Sequence, residues 1–154
     1  MSQTNSARHG LPFLLTGQAQ KELTHNEALI RLEALLHPVV EAERTSPDTG
    51  LSMADSGKCW LVADSMPNAA PGDWAGHARE IAYWTGGSWR FVRPVAGMSI
   101  WNRQNNSQLH YISGQWTAAP AISNATGGTL IDVEARAVLN MLLQRLRIIG
   151  LARM

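Results

Sequence analysis

The loop Gly72-Asp73-Trp74-Ala75-Gly76-His77-Ala78 gathers a carboxylate, an indole and an imidazole within five residues. A carboxylate that orients an imidazole is the base half of a hydrolytic site, so a wall-degrading hydrolase working at Asp73–His77 is one reading. The preferred reading is structural: a compact loop packed by its own side chains pins Trp74. Elsewhere the reactive residues do not converge. His9, His25, His37, His77 and His110 are scattered without the i, i+4 or H-x-H spacing of a zinc site, and Cys59 is alone. His25-Asn26-Glu27 are neighbours in a helical stretch, where adjacent side chains diverge; Thr24 with Glu27 has capping-box form instead. The chain lacks G-x-S-x-G, a P-loop and G-x-G-x-x-G. The expectation is no catalytic residue, no metal site and no cofactor.

Binding chemistry is the stronger alternative. "YWTGGSW" (83–89) and "YISGQW" (111–116) each set an aromatic residue and a Trp around a Gly-containing turn. Flat aromatic faces with a polar edge suit sugar rings, so Trp74, Tyr83, Trp84 and Tyr111 form a possible ligand surface, with Arg90 and Arg93 beside it. Strand alternation keeps Trp89 out of this surface, because it puts Trp89 and Phe91 together on one face, as core. Trp60, Trp101 and Trp116 are read as core too.

The elements that carry these residues fall into three zones: 1–45, a polar arm and a helix; 46–120, a Trp-rich β domain; and 121–154, a hinge and a second helix. Leu23, Ala28, Leu29, Leu32, Leu35 and Leu36 give the first helix, read as Thr24–Leu36, one apolar face. The middle zone holds all six Trp, both Tyr and Phe91. Strands are expected at Cys59–Ala63, Glu80–Trp84, Trp89–Arg93, Met98–Asn102, Gln108–Ile112 and Gln115–Thr117, separated by turn chemistry. Two copies of one unit are suggested: Gly57, Trp60, Trp84, Gly87 and Trp89 against Gly97, Trp101, Tyr111, Gly114 and Trp116. The fold class is therefore α+β: an N-terminal helix, a small antiparallel β meander or barrel, and a C-terminal oligomerisation helix.

That last helix, Leu130–Ile149, starts behind Gly127-Gly128 with Asp132 as a cap and Gly150 as its terminator. Its apolar residues cover more than the ~100° stripe a surface helix needs. Leu139, Leu142, Leu143, Leu146 and Ile149 are the expected oligomer or partner contacts. With 13 Lys+Arg against 12 Asp+Glu, the charge is too balanced to track phosphates. No run approaches the ~18 apolar residues of a membrane span, and the start lacks the long apolar region of a secretion signal. A soluble protein made in the cytoplasm, binding no nucleic acid and inserting into no membrane, is expected.

"GQAQKELTHNEAL" (17–29), "WLVAD" (60–64), "WAGHAREIAYWTGGSWRFVRPVAGMSIW" (74–101) and "GGTLIDVEARAVLNMLLQRL" (127–146) resemble an uncharacterised domain family of alphaproteobacterial prophages and gene transfer agents. The resemblance spans nearly the whole chain, and the stand-alone form is most similar to the head-spike base of such particles. It implies no catalytic residue. It implies a homo-oligomer, with five copies if mounted on a capsid vertex, between a capsid protein and a receptor-binding spike or fibre. The particle would be assembled in the bacterial cytoplasm. A module touching cell-surface polysaccharide is the alternative.

Overall fold

A computed structural model of the chain describes residues 4–14, 21–64, 72–128 and 132–152. The elements are α1 (Lys21–Leu35), β1 (Val39–Val40), β2 (Glu43–Arg44), β3 (Cys59–Val62), β4 (Ile81–Trp84), β5 (Trp89–Val92), β6 (Ser99–Asn102), β7 (Ser107–Ile112), β8 (Gln115–Ala118) and α2 (Val133–Ile148). The class is α+β, as expected, but the strands form two open sheets, β1-β6-β7-β8 and β2-β3-β4-β5, and no closed barrel among the described residues.

Both hairpins follow from their turns. Gly86 takes φ +88°, the left-handed first position of a II′-type loop, while Ser113 and Gly114 take +52° and +79°, as a I′-type loop requires. These turns set Trp84 opposite Trp89 and Tyr111 opposite Trp116.

The two sheets are copies of one pattern: a two-residue strand parallel to the first strand of a three-stranded meander. The match extends to single hydrogen bonds. Gly57 N–H donates to the Trp84 carbonyl at 2.9 Å, as Gly97 N–H does to Tyr111 at 3.0 Å. Leu61 N–H donates to Ala42 at 2.9 Å, as Trp101 N–H does to Pro38 at 2.9 Å. Trp101 therefore corresponds to Leu61, and Trp60 to Ile100, one residue away from the correspondence the Trp spacing suggests.

The copies stack facing the same way. Cys59, Leu61, Ile81 and Tyr83 of the first pack against Ile100, Leu109 and Trp116 of the second, with Val40 and Ala34 closing the cluster. The first sheet's other face carries Trp60, Val62 and Ala82 beneath Trp74. Burial on both faces explains why β3 reads as an unbroken apolar run, Cys-Trp-Leu-Val, with every residue buried. Stacked repeats need covers on their outermost faces. The Trp74 loop covers one. The end of α2 meets the other, where Gly150 (φ +74°) lies so close to Trp101 that a Cβ would sit 2.4 Å from the indole.

Asp132 caps α2 as expected, its carboxylate accepting from Ala135 N–H at 2.9 Å. The cap expected at Thr24 is not formed. Helix α1 already runs through Thr24 from Lys21, and Glu27 pairs with Arg90 at 2.6 Å. Nor does α1 bury its leucines: Leu23, Leu32 and Leu35 are exposed, as is Leu36 just past its end, and Leu29 is half-buried, while Glu33 and Ala34 are buried. No helix among the described residues is long and apolar enough to cross a membrane.

Candidate functional site

Glu33 is the fully buried charge-bearing side chain of α1. Its Oε1 accepts from Arg8 N–H at 2.7 Å, His9 N–H at 2.6 Å and the Ser6 hydroxyl, and its Oε2 accepts from the Tyr83 hydroxyl. Burial pushes the carboxyl pKa up, and the donors from Ser6, Tyr83, His9 and Arg8 together outweigh it, leaving the group below its ordinary value. Tyr83 is pushed up by burial and by its bond to Glu33. The arm is thus held to its own chain. Arg8 also donates to the His37 carbonyl at 3.1 Å, and Asn26 bonds both the N–H and the carbonyl of Leu14. Sequence reasoning missed this centre, because a lone Glu on a helix gives no signal that donors from residues 6–9 converge on it.

Cys59 lies beneath the arm. Burial pushes its thiol up to about 12, which leaves almost no thiolate at neutral pH. Iodoacetamide at pH 8 is expected to leave Cys59 unmodified in the native protein and to alkylate it fully in urea, read by intact mass; native labelling would contradict its burial.

The aromatic ligand surface does not assemble. Trp74 is 0% and Tyr83 2% exposed, so neither presents a face to solvent. Trp74 is covered because its loop folds back onto Trp89, at 5.1 Å between rings, and Tyr83 because strand alternation turns it toward Glu33. Trp84 and Tyr111 are half-buried and belong to different sheets. Trp84 packs against Trp89 at 4.9 Å and donates from Nε1 to the Ser52 carbonyl at 2.8 Å. Tyr111 packs against Trp116, whose Nε1 donates to the Arg79 carbonyl at 2.8 Å. Trp84 thus ties its hairpin to the connection between β2 and β3, and Trp116 ties the second sheet to Arg79, just before β4. Cross-strand aromatic pairs of this kind stabilise a sheet by roughly 0.2–1 kcal/mol each.

The Asp73–His77 loop keeps its imidazole occupied. His77 stacks on Phe91 with centroids 3.5 Å apart, and its Nδ1 lies 2.7 Å from Glu80, which Arg93 holds from the other side at 3.2 Å. Asp73 makes no bond to the ring, and no Ser, Thr or Cys side chain hydrogen-bonds it among the described residues. Among the described residues one Ser–His contact exists elsewhere: Ser99 Oγ lies 2.8 Å from His110 Nδ1 as a cross-strand pair, with no described carboxylate bonded to the ring. No group of three or more His, Cys, Asp and Glu among the described residues could hold a metal ion.

Helix α2 presents apolar side chains to solvent. Of its five expected contact residues, Leu143 is buried against its own chain and Leu146 is half-buried. Leu139, Leu142 and Ile149 are 57, 55 and 55% exposed. With Ala135, the set 135, 139, 142, 146, 149 follows the alternating 4,3 spacing of a coiled-coil seam. Val138 lies beside it, also exposed.

No curated protein sequence matches the chain. Residues 25–117 match the family described as "Protein of unknown function (DUF2793)". That stretch opens within α1 and ends in β8, so it takes in both stacked sheets and leaves out the arm and α2. With more than half its length in the match, the chain belongs to the DUF2793 family.

Proposed function

We propose that the protein is a non-enzymatic structural adaptor of a phage-like particle of the gene transfer agent kind. In this reading it is an oligomeric base that joins a receptor-binding spike or fibre to the capsid. One observation carries the reading: the exposed seam Leu139, Leu142 and Ile149 along α2, with half-buried Leu146 in line, which a single chain leaves uncovered. A row of leucines at coiled-coil spacing is the surface on which identical helices pack around a symmetry axis. The exposed leucines of α1 supply a second apolar face for a different neighbour. The stacked Trp-rich sheets form the rigid body between them.

Further support comes from the sequence likeness of "GQAQKELTHNEAL" and "WAGHAREIAYW" to particle components and from the near-balanced charge. The carbohydrate-module alternative loses two of its four aromatic faces to the core, and the hydrolase alternative has its imidazole stacked on Phe91. A density map of particles from a producing strain tests the role directly. The expected result is several copies of this chain around one symmetry axis between shell and fibre; purified particles lacking the chain would contradict it.

A further inference from the structure

Helix α2 carries a second row beside the leucine seam. Glu134, Val138, Met141, Arg145 and Ile148 repeat the seam's alternating 4,3 spacing, each one residue before its counterpart. At about 100° per residue, the two rows point about 100° apart. Val138, Met141 and Ile148 are 64, 60 and 61% exposed, above Leu139 at 57%. Met141 and Ile148 border an open cleft of about 980 Å³ between α2 and the β6–β7 turn, so this row has free space beside it. The chain's own body lies on the remaining side. Leu143 is buried there, and Asn140 and Arg147 are half-buried on the same flank. On the helical wheel that flank is roughly opposite the bisector of the two rows.

Two rows change what a second copy can do. A two-fold pair uses one row twice and leaves the other in water. A single row of part-exposed side chains also offers well under the roughly 800 Å² per partner that a stable pair buries. When the first row of each copy packs on the second row of the next, both rows are covered and the contact is head-to-tail. Head-to-tail contacts close when the directions to the two neighbours match a polygon's corner. That corner is about 60° for three copies, about 90° for four, about 108° for five and about 120° for six. Rows about 100° apart fit about four to six copies. The flank left outside such a ring is the one where Leu143 joins the helix to its own chain.

We propose that the partner of each α2 face is a further copy of this chain, in a closed ring of about four to six copies. The helices run parallel on the inside, first row against second row, and the sheets lie outside. The proposal rests on the assembly reading above and specifies its contact. It has a charge signature. A parallel ring gathers one Arg145 per copy on its inner side at one height, where like charges repel. The competing arrangement, an antiparallel pair on the second row, would set Val138 against Met141 and Arg145 against the Glu134 carboxylate of the other copy.

The test uses the full chain. Val138→Glu with Met141→Glu should reduce the oligomer to single chains by light scattering, with circular dichroism unchanged, although the leucine seam is intact. Arg145→Leu should do the opposite: the oligomer should persist to concentrations about threefold lower or more. Val138→Cys with Leu139→Cys puts one thiol on each row at one height. Oxidised glutathione should then link the chains into a ladder that ends at about four to six copies, without Cys59, which is buried. A native mass of two or three chains, a glutamate variant that keeps its oligomer, weaker assembly of Arg145→Leu, or a ladder ending at two would each overturn the ring and leave the assembly reading standing. A native protein of single chains would overturn both.

Discussion

Trp74→Ala is expected to destabilise the protein by about 3–5 kcal/mol, the usual cost of emptying a large buried aromatic site. The indole is fully buried and forms the lid over Trp60, Val62 and Ala82. It meets Trp89 edge-on, and Trp89 meets Trp60 the same way at 5.5 Å. Removing Trp74 therefore uncovers the centre of the outer face of the β2-β3-β4-β5 sheet and leaves Leu51 and His77 to cover its margins. The indole N–H itself contributes nothing, since Nε1 is buried without a partner. Trp74→Phe keeps most of the ring surface and discards that unsatisfied donor, so it should cost clearly less than the alanine variant. Urea denaturation measures both. A stable Trp74→Ala protein would mean the residue is a surface platform after all.

Glu33→Ala is the second large effect, expected at about 3 kcal/mol or more, because it strands donors from Ser6, Arg8, His9 and Tyr83 inside the fold. Glu33→Gln keeps one acceptor oxygen and loses the charge, so its cost should be intermediate. The pH dependence follows from the direction of the shift. Glu33 titrates below its ordinary value of 4.5 when folded. Its contribution is therefore complete above that pH and is lost as pH falls through the folded-state pKa. The stability gap between parent and Glu33→Gln should be widest above pH 4.5 and should narrow as pH falls below it. A gap independent of pH would mean that the carboxylate charge does not hold the arm.

Local chemistry was the legible part of this fold. Gly-containing turns fixed both hairpins, and Asp132 and Gly150 marked the ends of α2, because each of those signals acts within a few residues. The repeat was visible in Gly57 and Gly97, whose amides make equivalent bonds. It was misread at Trp101, because Trp spacing reports bulk while strand register reports the ladder. Trp101 sits one position along from Trp60's equivalent and is aimed at Gly150 instead of the inter-sheet core.

What stayed hidden depends on distant segments meeting. Glu33 is buried only because residues 6–9 and Tyr83 reach it, and the leucines of α1 face outward as a consequence. The cleft under α2 draws on residues from 105 to 152, none of which carries a motif. The aromatic surface failed for a similar reason. Exposure of Trp74 and Tyr83 depends on what folds over them, and alternation alone does not report a covering loop.

The assembly claim rests on the α2 seam, and a double substitution tests it more cleanly than removing residues 130–154. Truncation would also take Gly150 and Ala152 off the second sheet. Leu139→Glu with Leu142→Glu changes two side chains that are already more than half exposed, so the fold should survive. Light scattering of the native chain should give a multiple of 16.8 kDa, and the double variant should fall to the single-chain mass with an unchanged circular dichroism spectrum. A native protein already at 16.8 kDa, or a variant that keeps the oligomer mass, would contradict the proposal.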